Sequence, residues 1–290
     1  MKRYQRPPQE AQTATPGIMP WRIRRVTGAD QVAVEAGVVV EEPLEIRLDG
    51  RSVAVLMRTP GLEKELAAGF CLGEGLVSDV MDIALVQHCG RLAPADQMDD
   101  DALDGARNRV DVTLLPTAVP STFPREAVSM IRSGCGRTDA IDLVQGLEPI
   151  DAQTTVGLAV LTRILGQITR RQISYRAAGG IHAAALFDSN GRAVVVCEDI
   201  GRHNAVDKAL GYCLLRGIGV QDKMLVSTGR ASYDMVVKGV RLGVPIIASI
   251  SSPTSLAVEL ADGLGCTLLG YLRGKSLNIY THEWRIVGES

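Results

Sequence analysis

The sequence predicts an α/β protein in two unequal parts: a smaller strand-rich N-terminal part and a C-terminal part in which strands and helices alternate. Three observations carry this. Between residues 181 and 272, apolar strand-like runs alternate with helix-length amphipathic segments, the pattern of βαβ units around one sheet. Those runs are almost continuously apolar, as in Pro245-Ile-Ile-Ala-Ser-Ile250, which marks strands covered on both faces. Before residue 150 the rhythm is one of short alternating runs separated by turn residues. The expected division is a flexible tail (1–20), an N-terminal mixed α/β domain (21–150) and a C-terminal domain (151–290).

Leu44 to Thr59 reads as two strands around a Leu-Asp-Gly-Arg turn, since Glu45-Ile-Arg-Leu alternates and Val53-Ala-Val-Leu-Met continues apolar beyond it. Leu62 to Leu76 fits a helix with Leu62, Leu66, Phe70 and Leu76 roughly on one face. Asp96 to Asp104 is an acidic, solvated loop, and Arg109 to Leu115 alternates as a half-buried strand. A short helix from Pro124 to Ile131 leads into the polar loop Ser133-Gly-Cys-Gly-Arg137. Thr154 is the expected N-cap of a helix to about Gln167. Ile181–Phe187 and Ala193–Cys197 form a hairpin across Ser189-Asn-Gly191. Helices over about 204–215, 231–242 and 254–264 then alternate with strands at 224–227, 245–250 and 267–272.

Net charge is −2, so no global field favours nucleic acid or an anionic membrane, and any anionic ligand must be held by a local cluster of donors. No apolar run reaches 18 residues, which argues against a membrane span. The basic start has no apolar stretch behind it, unlike a secretory signal. Six cysteines stand at 71, 89, 135, 197, 213 and 266, a wide and irregular spacing that suggests reduced thiols and a cytoplasmic location.

Five of these cysteines sit in apolar periodic context or near an element end, where core packing is the ordinary role. Cys135 differs. Gly134 and Gly136 leave its backbone uncrowded, and Arg132 and Arg137 supply the positive charge that lowers a thiol pKa. A thiolate there can accept sulfur as a persulfide; the alternative is a surface loop that happens to hold a cysteine.

Three polar clusters fall at successive strand-to-helix junctions, the sheet edge where α/β proteins bind ligands. Cys197-Glu-Asp-Ile-Gly-Arg-His-Asn-Ala-Val-Asp-Lys208 offers Arg202 and His203 near a helix N-terminus. The alternative there is that Asn204 caps the helix while Asp207 and Lys208 are solvated. Thr228-Gly-Arg-Ala-Ser232 supplies Gly229 and Arg230, and Ser251-Ser-Pro-Thr-Ser255 repeats the theme. Together they suggest a pocket for a phosphorylated or nucleotide-like ligand. Near the C-terminus, Tyr271-Leu-Arg-Gly-Lys-Ser276 is either a phosphate and base-stacking contact through Arg273, Lys275 and Tyr271, or a basic hairpin turn.

Taken together these stretches resemble the FdhD/NarQ family of formate dehydrogenase accessory sulfurtransferases. The resemblance rests on Glu65-Leu-Ala-Ala-Gly-Phe, Glu74-Gly-Leu, Gly179-Gly-Ile-His-Ala-Ala-Ala-Leu-Phe, Glu198 to Lys208, Thr228 to Ser232, Pro253 to Ala261 and Arg273-Gly with Asn278-Ile-Tyr-Thr. It covers about residues 35–283. It implies a three-layer C-terminal domain similar to the cytidine deaminase fold, usually in a homodimer. It also implies that sulfur from a cysteine desulfurase passes through Cys135 to a molybdenum cofactor carrying two pterin guanine dinucleotides, destined for formate dehydrogenase. Tyr271, Leu272, Arg273, Gly274, Lys275 and Ser276 fall on the family's cofactor-binding stretch. The family commonly has Cys-Gly-x-Cys-Gly where this chain has Cys135-Gly-Arg-Thr138-Asp139, so a relay between two cysteines is not expected. The deaminase zinc signature is absent, since Ala-Ala follows His182 and no Cys-x-x-Cys occurs, so no resident metal is expected. Neither nucleic acid nor membrane is an expected partner. A cofactor-binding chaperone that carries no sulfur is the alternative.

Overall fold

A computed structural model describes residue 15, residues 17–88, 108–118, 130–131 (backbone only), 146–274 and 276–288. Cys89, Cys135 and its flanking loop, the acidic stretch 96–104 and Lys275 lie outside the described residues.

The chain begins with a hairpin, β1 (Ile18–Thr27) and β2 (Asp30–Val39), turning at Gly28 with φ 61°. It starts inside the segment expected to be tail. β3 (Glu42–Leu48) and β4 (Arg51–Arg58) follow around the Asp49-Gly50 turn, as expected, and α1 (Glu63–Gly73) comes next. β5 (Ile83–His88) and β6 (Arg109–Leu114) complete the N-terminal sheet with β7 (Met130–Ile131), in the order β5-β6-β3-β4-β7. Met130 and Ile131 therefore belong to a strand rather than to the end of the expected helix, because β4 offers them a parallel edge.

β8 (Val156–Gly157) is a two-residue strand, and α2 runs from Leu158 to Arg171, starting three residues and ending about four residues later than expected. Thr154 is not its cap; Gly157 is. The chain is held extended there because β8 pairs in parallel with β15 (Ile286–Val287), burying Val156. After α3 (Ile173–Ala178) come β9 (His182–Phe187), β10 (Ala193–Asp199), α4 (Arg202–Leu214), β11 (Met224–Ser227), α5 (Tyr233–Arg241), β12 (Ile246–Ser249), α6 (Ser255–Gly263), β13 (Thr267–Arg273) and β14 (Ser276–Ile279). Their sheet order is β10-β9-β11-β12-β13-β14.

This domain has three layers. Ala184, Leu186, Leu225, Ile247 and Leu268 point to the face covered by α4, α5 and α6. Their strand neighbours Ala183, Ala185, Phe187, Met224, Val226, Ile246 and Ala248 pack with Leu161, Ile164 and Ile168 of α2. Burial on both faces is why these strands are continuously apolar.

α1 is buried on two sides. Leu66, Ala67, Phe70 and Cys71 pack with the N-terminal sheet. The opposite side meets α4 in near backbone contact: a Cβ on Gly69 would lie 1.9 Å from the Asp207 carbonyl oxygen, and one on Gly211 would lie 2.0 Å from that of Glu65. Only glycine permits this crossing. The two halves are further bound by Lys238, which lies 2.7 Å from Asp207 and 2.9 Å from Glu74. The expected boundary at residue 150 is thus crossed by an extensive interface, and the β1–β2 hairpin itself rests on α3, where Gly37 approaches the Ala177 carbonyl.

Candidate functional site

β10, β11, β12 and β13 all run in one direction, so their carboxyl ends share one edge of the sheet. That edge spans four inter-strand steps, roughly 19 Å. The three polar junctions expected from sequence meet there.

At one end, the β10–α4 turn presents Arg202 and His203. The Arg202 side chain lies over Gly229, where a Cβ would come within 2.9 Å of it. His203 Nε2 is 3.1 Å from Ser232 Oγ and 3.9 Å from Asp234. Thr228 Oγ1 accepts from the Ala183 amide at 2.9 Å and lies 3.4 Å from His182 Nδ1. The junctions are then stitched together by backbone bonds. The Ala231 amide donates to Ser252, and the Thr254 amide donates to Ala231. The Tyr271 amide donates to Ser251 at 2.9 Å. Thr254 caps α6 through its side chain.

At the other end, β13 carries Tyr271 and Arg273. Tyr271 has φ 50°, an uncommon conformation for an aromatic residue, at a bulge in the β13–β14 pairing. Its exposed ring has the Arg273 guanidinium 5.6 Å from its centroid, and Arg273 Nε donates to the Ile250 carbonyl at 3.3 Å. Gly274 turns the chain at φ 56°, and Ser276 Oγ donates to the Arg273 carbonyl, closing the hairpin. Leu272 is fully buried among the α2-side core, so its side chain is not available to a ligand as expected from sequence; strand alternation turns it inward between two outward neighbours. Arg230 is exposed at the β11–α5 junction.

The Glu198–Lys208 stretch divides its labour. Arg202 and His203 are half-buried at the edge, whereas Asp199, Asn204, Asp207 and Lys208 are all buried. Asn204 does not cap α4, whose N-cap is Gly201; its amide donates instead to the Met57 carbonyl at 2.8 Å and to Asp199 at 2.9 Å. Asp207 and Lys208, expected to be solvated, are ion-paired inside. Glu198 receives the Ser174 and Tyr175 amides at the start of α3. His182 and Asp234 were not site candidates from sequence, because only the folded sheet brings them to Arg202 and His203; Ser232 belongs to the second of the expected polar junctions.

Burial, together with the charges of Arg202 and Lys238, pushes the His203 imidazole down to about 3, and burial with Arg202 also lowers His182. Both rings are therefore neutral at pH 7. The unfolded chain takes up a proton near 6.5 that folded His203 refuses, so stability is lost as pH falls from that value toward 3. Between pH 6.5 and 5 the loss from His203 is about 2 kcal/mol. His203→Gln is expected to flatten this part of the stability–pH profile, as read by urea unfolding; an unchanged slope would contradict the neutral assignment.

Cys71, Cys197 and Cys266 are pushed up to about 12 and Cys213 to about 11, each chiefly by burial. These four thiols stay protonated at neutral pH and behave as core residues, as expected for them.

The family model described as "FdhD/NarQ family" matches residues 39–287. The sulfur carrier protein FdhD of Mycobacterium tuberculosis (strain ATCC 25618 / H37Rv) is 38% identical over 272 residues, 91% of this chain and 97% of that protein. The protein of the same name from Anaeromyxobacter dehalogenans (strain 2CP-1 / ATCC BAA-258) is 38% identical over 261 residues, covering 88% and 90%. Among solved structures, a formate dehydrogenase accessory protein from Desulfotalea psychrophila superposes with a TM-score of 0.75 at 26% identity, over 94% of this chain and 100% of that one.

Proposed function

Because this chain belongs to the FdhD/NarQ family, we propose that it is a sulfur carrier in formate dehydrogenase maturation, with Cys135 as the carrying thiol. In this reading the Cys135 thiolate attacks the terminal sulfur of a persulfide on a cysteine desulfurase. The desulfurase S–S bond breaks, its own thiolate leaves, and Cys135 holds the persulfide. The Cys135 S–S bond then breaks with two electrons from a dithiol reductant, which leaves as its disulfide; Cys135 returns to the thiol and the outer sulfur passes as sulfide to a molybdenum cofactor bearing two guanine dinucleotide arms, bound as cargo along the polar sheet edge.

One observation carries the reading. β7 ends at Ile131, four residues before Cys135, and runs parallel to β4 with Ile131 opposite Leu56. β4 leads in the same direction into Met57 and Thr59, which are hydrogen-bonded to the base of the Arg202–His203 turn. Ile131, the last described residue before Cys135, therefore lies at the end of the N-terminal sheet that adjoins the polar edge. The buried, protonated state of the four described cysteines supports the same assignment. Arg202 with His203 at one end and Tyr271 with Arg273 at the other suit a cargo with two nucleotide arms, each offering a diphosphate to cations and a base to an aromatic face.

The test is mass spectrometry after incubation with a cysteine desulfurase and cysteine. An added sulfur on Cys135, absent from Cys135→Ala protein, is expected; equal loading of both proteins would refute the assignment. Thr138, standing where the family commonly has a second cysteine, favours a second reading, a cofactor chaperone that carries no sulfur.

Homodimer formation belongs to the same proposal. One face of the hairpin carries Trp21, Ile23, Val32, Val34 and Val38, of which Trp21 is 45% exposed and Val32 58%. A two-stranded ribbon so exposed is marginal in water unless covered. Trp21→Glu is expected to shift the protein from dimer to monomer in light scattering behind gel filtration, and a monomeric wild type would dismiss the dimer.

A further inference from the structure

The anion-facing turn is held by a residue that cannot itself touch a ligand. Asp199, fully buried at the end of β10, accepts three hydrogen bonds and forms an ion pair. Its Oδ1 receives the Gly201 amide at 2.8 Å and Asn204 Nδ2 at 2.9 Å. Its Oδ2 receives the Thr59 amide at 3.2 Å and lies 2.6 Å from Lys208 Nζ. Lys208 in turn donates to the Thr59 carbonyl at 2.8 Å, and the Ile200 amide donates to Thr59 Oγ1 at 3.3 Å. One carboxylate thus ties three separate pieces of chain: the segment leaving β4, the turn after β10 and the first turns of α4.

The residues immediately after that turn are Arg202 and His203. Both leave the first turn of a helix whose N-cap, Gly201, has no side chain with which to fix itself. A Cβ at Gly201 would meet Asn204 Nδ2 at 2.9 Å, so the turn is pressed against the bonded group. The geometry points to Asp199 as a positioning residue: its carboxylate sets where Arg202 and His203 sit relative to Gly229 and Ser232, and thereby sets the affinity of this edge for a nucleoside diphosphate. This rests on the reading of the edge as a nucleotide site.

Only a carboxylate accepts from both sides at once. An asparagine in its place offers one acceptor oxygen and turns two N–H donors toward the groups that had donated to it. It also leaves Lys208 buried without its counter-charge, which destabilises the fold in its own right. Two variants separate these effects. Asp199→Ala loses both the positioning and the charge balance. Asp199→Ala with Lys208→Met removes the unpaired charge while leaving the turn without its acceptor, since both bonds from the turn fall on one oxygen that asparagine would still offer.

The experiment measures GDP binding by calorimetry and thermal unfolding for wild type, single and double variants. The single variant is expected to bind GDP at least about tenfold more weakly, the scale on which groups that orient a binding shell act. The double variant is expected to regain most of the lost thermal stability but not the affinity. Asp199→Glu, longer by one methylene but still a carboxylate, is expected to recover part of the affinity. Affinity that returns together with stability in the double variant would show a merely structural role and overturn the proposal. Wild-type-like binding by Asp199→Ala would overturn it while leaving the nucleotide reading intact; failure of the wild type to bind GDP would bring down both.

Discussion

Formate dehydrogenase produced in a strain whose only copy of this protein is Cys135→Ala is expected to be as inactive as in a strain lacking the protein. The expectation is all-or-none because no described cysteine can substitute. At pH 7 a thiol raised to about 11 or 12 is ionised on the order of one part in ten thousand or less, and the thiolate is the form that accepts sulfur. Alanine at Cys71 or Cys266 removes a small core group instead, and is expected to leave maturation intact at a modest cost in stability. Cys135→Ala distinguishes the two functional readings, with Arg273→Ala as the loss common to both. A sulfur carrier loses activity with either Cys135→Ala or Arg273→Ala, whereas a chaperone loses it only with the second. Normal enzyme from the Cys135→Ala strain would leave the chaperone reading standing.

The largest expected effect on stability comes from Gly69→Ala. The added carbon would lie 1.9 Å from a carbonyl oxygen of α4, so the two helices must part by at least about 1 Å. Alanine gains roughly 1 kcal/mol over glycine in helix propensity. Parting the helices costs more, because α1 packs against the N-terminal sheet on its other side and cannot retreat. It also loosens the Asp207–Lys238–Glu74 cluster that the crossing encloses. A net loss of about 3 kcal/mol or more is expected, lowering the thermal midpoint by roughly 6 °C or more. A midpoint within 1 °C of wild type would mean that the helices do not approach as described.

Much of the C-terminal domain was legible in advance because each of its strands is short, apolar and bracketed by helices with clear ends. The strand at 224–227 was placed to the residue, and α5 and α6 fell within two residues of their expected limits. The start of α2 was misplaced because an extended pairing with residues 286–287, over a hundred positions away, overrides a local N-cap signal at Thr154. The β1–β2 hairpin was missed although its apolar residues alternate (Trp21 and Ile23 on one strand, Val32, Val34 and Val38 on the other), because the proline-bearing start, with Pro16 and Pro20, reads as tail.

The sequence alone determined which residue types crowd the strand-to-helix junctions, since a polar cluster between apolar runs can lie only at a sheet edge. It also singled out Cys135 by its glycine and arginine neighbours. Tertiary structure alone decided which of the clustered charges face outward. Asp199, Asp207 and Lys208 read like Arg202 in the chain, yet they are buried, Asp199 paired with Lys208 and Asp207 with Lys238. The reason is physical: a charge's role depends on its solvent and its neighbours, and Thr59, which meets Asp199 and Lys208, and α1, which meets Asp207, lie more than 100 positions upstream.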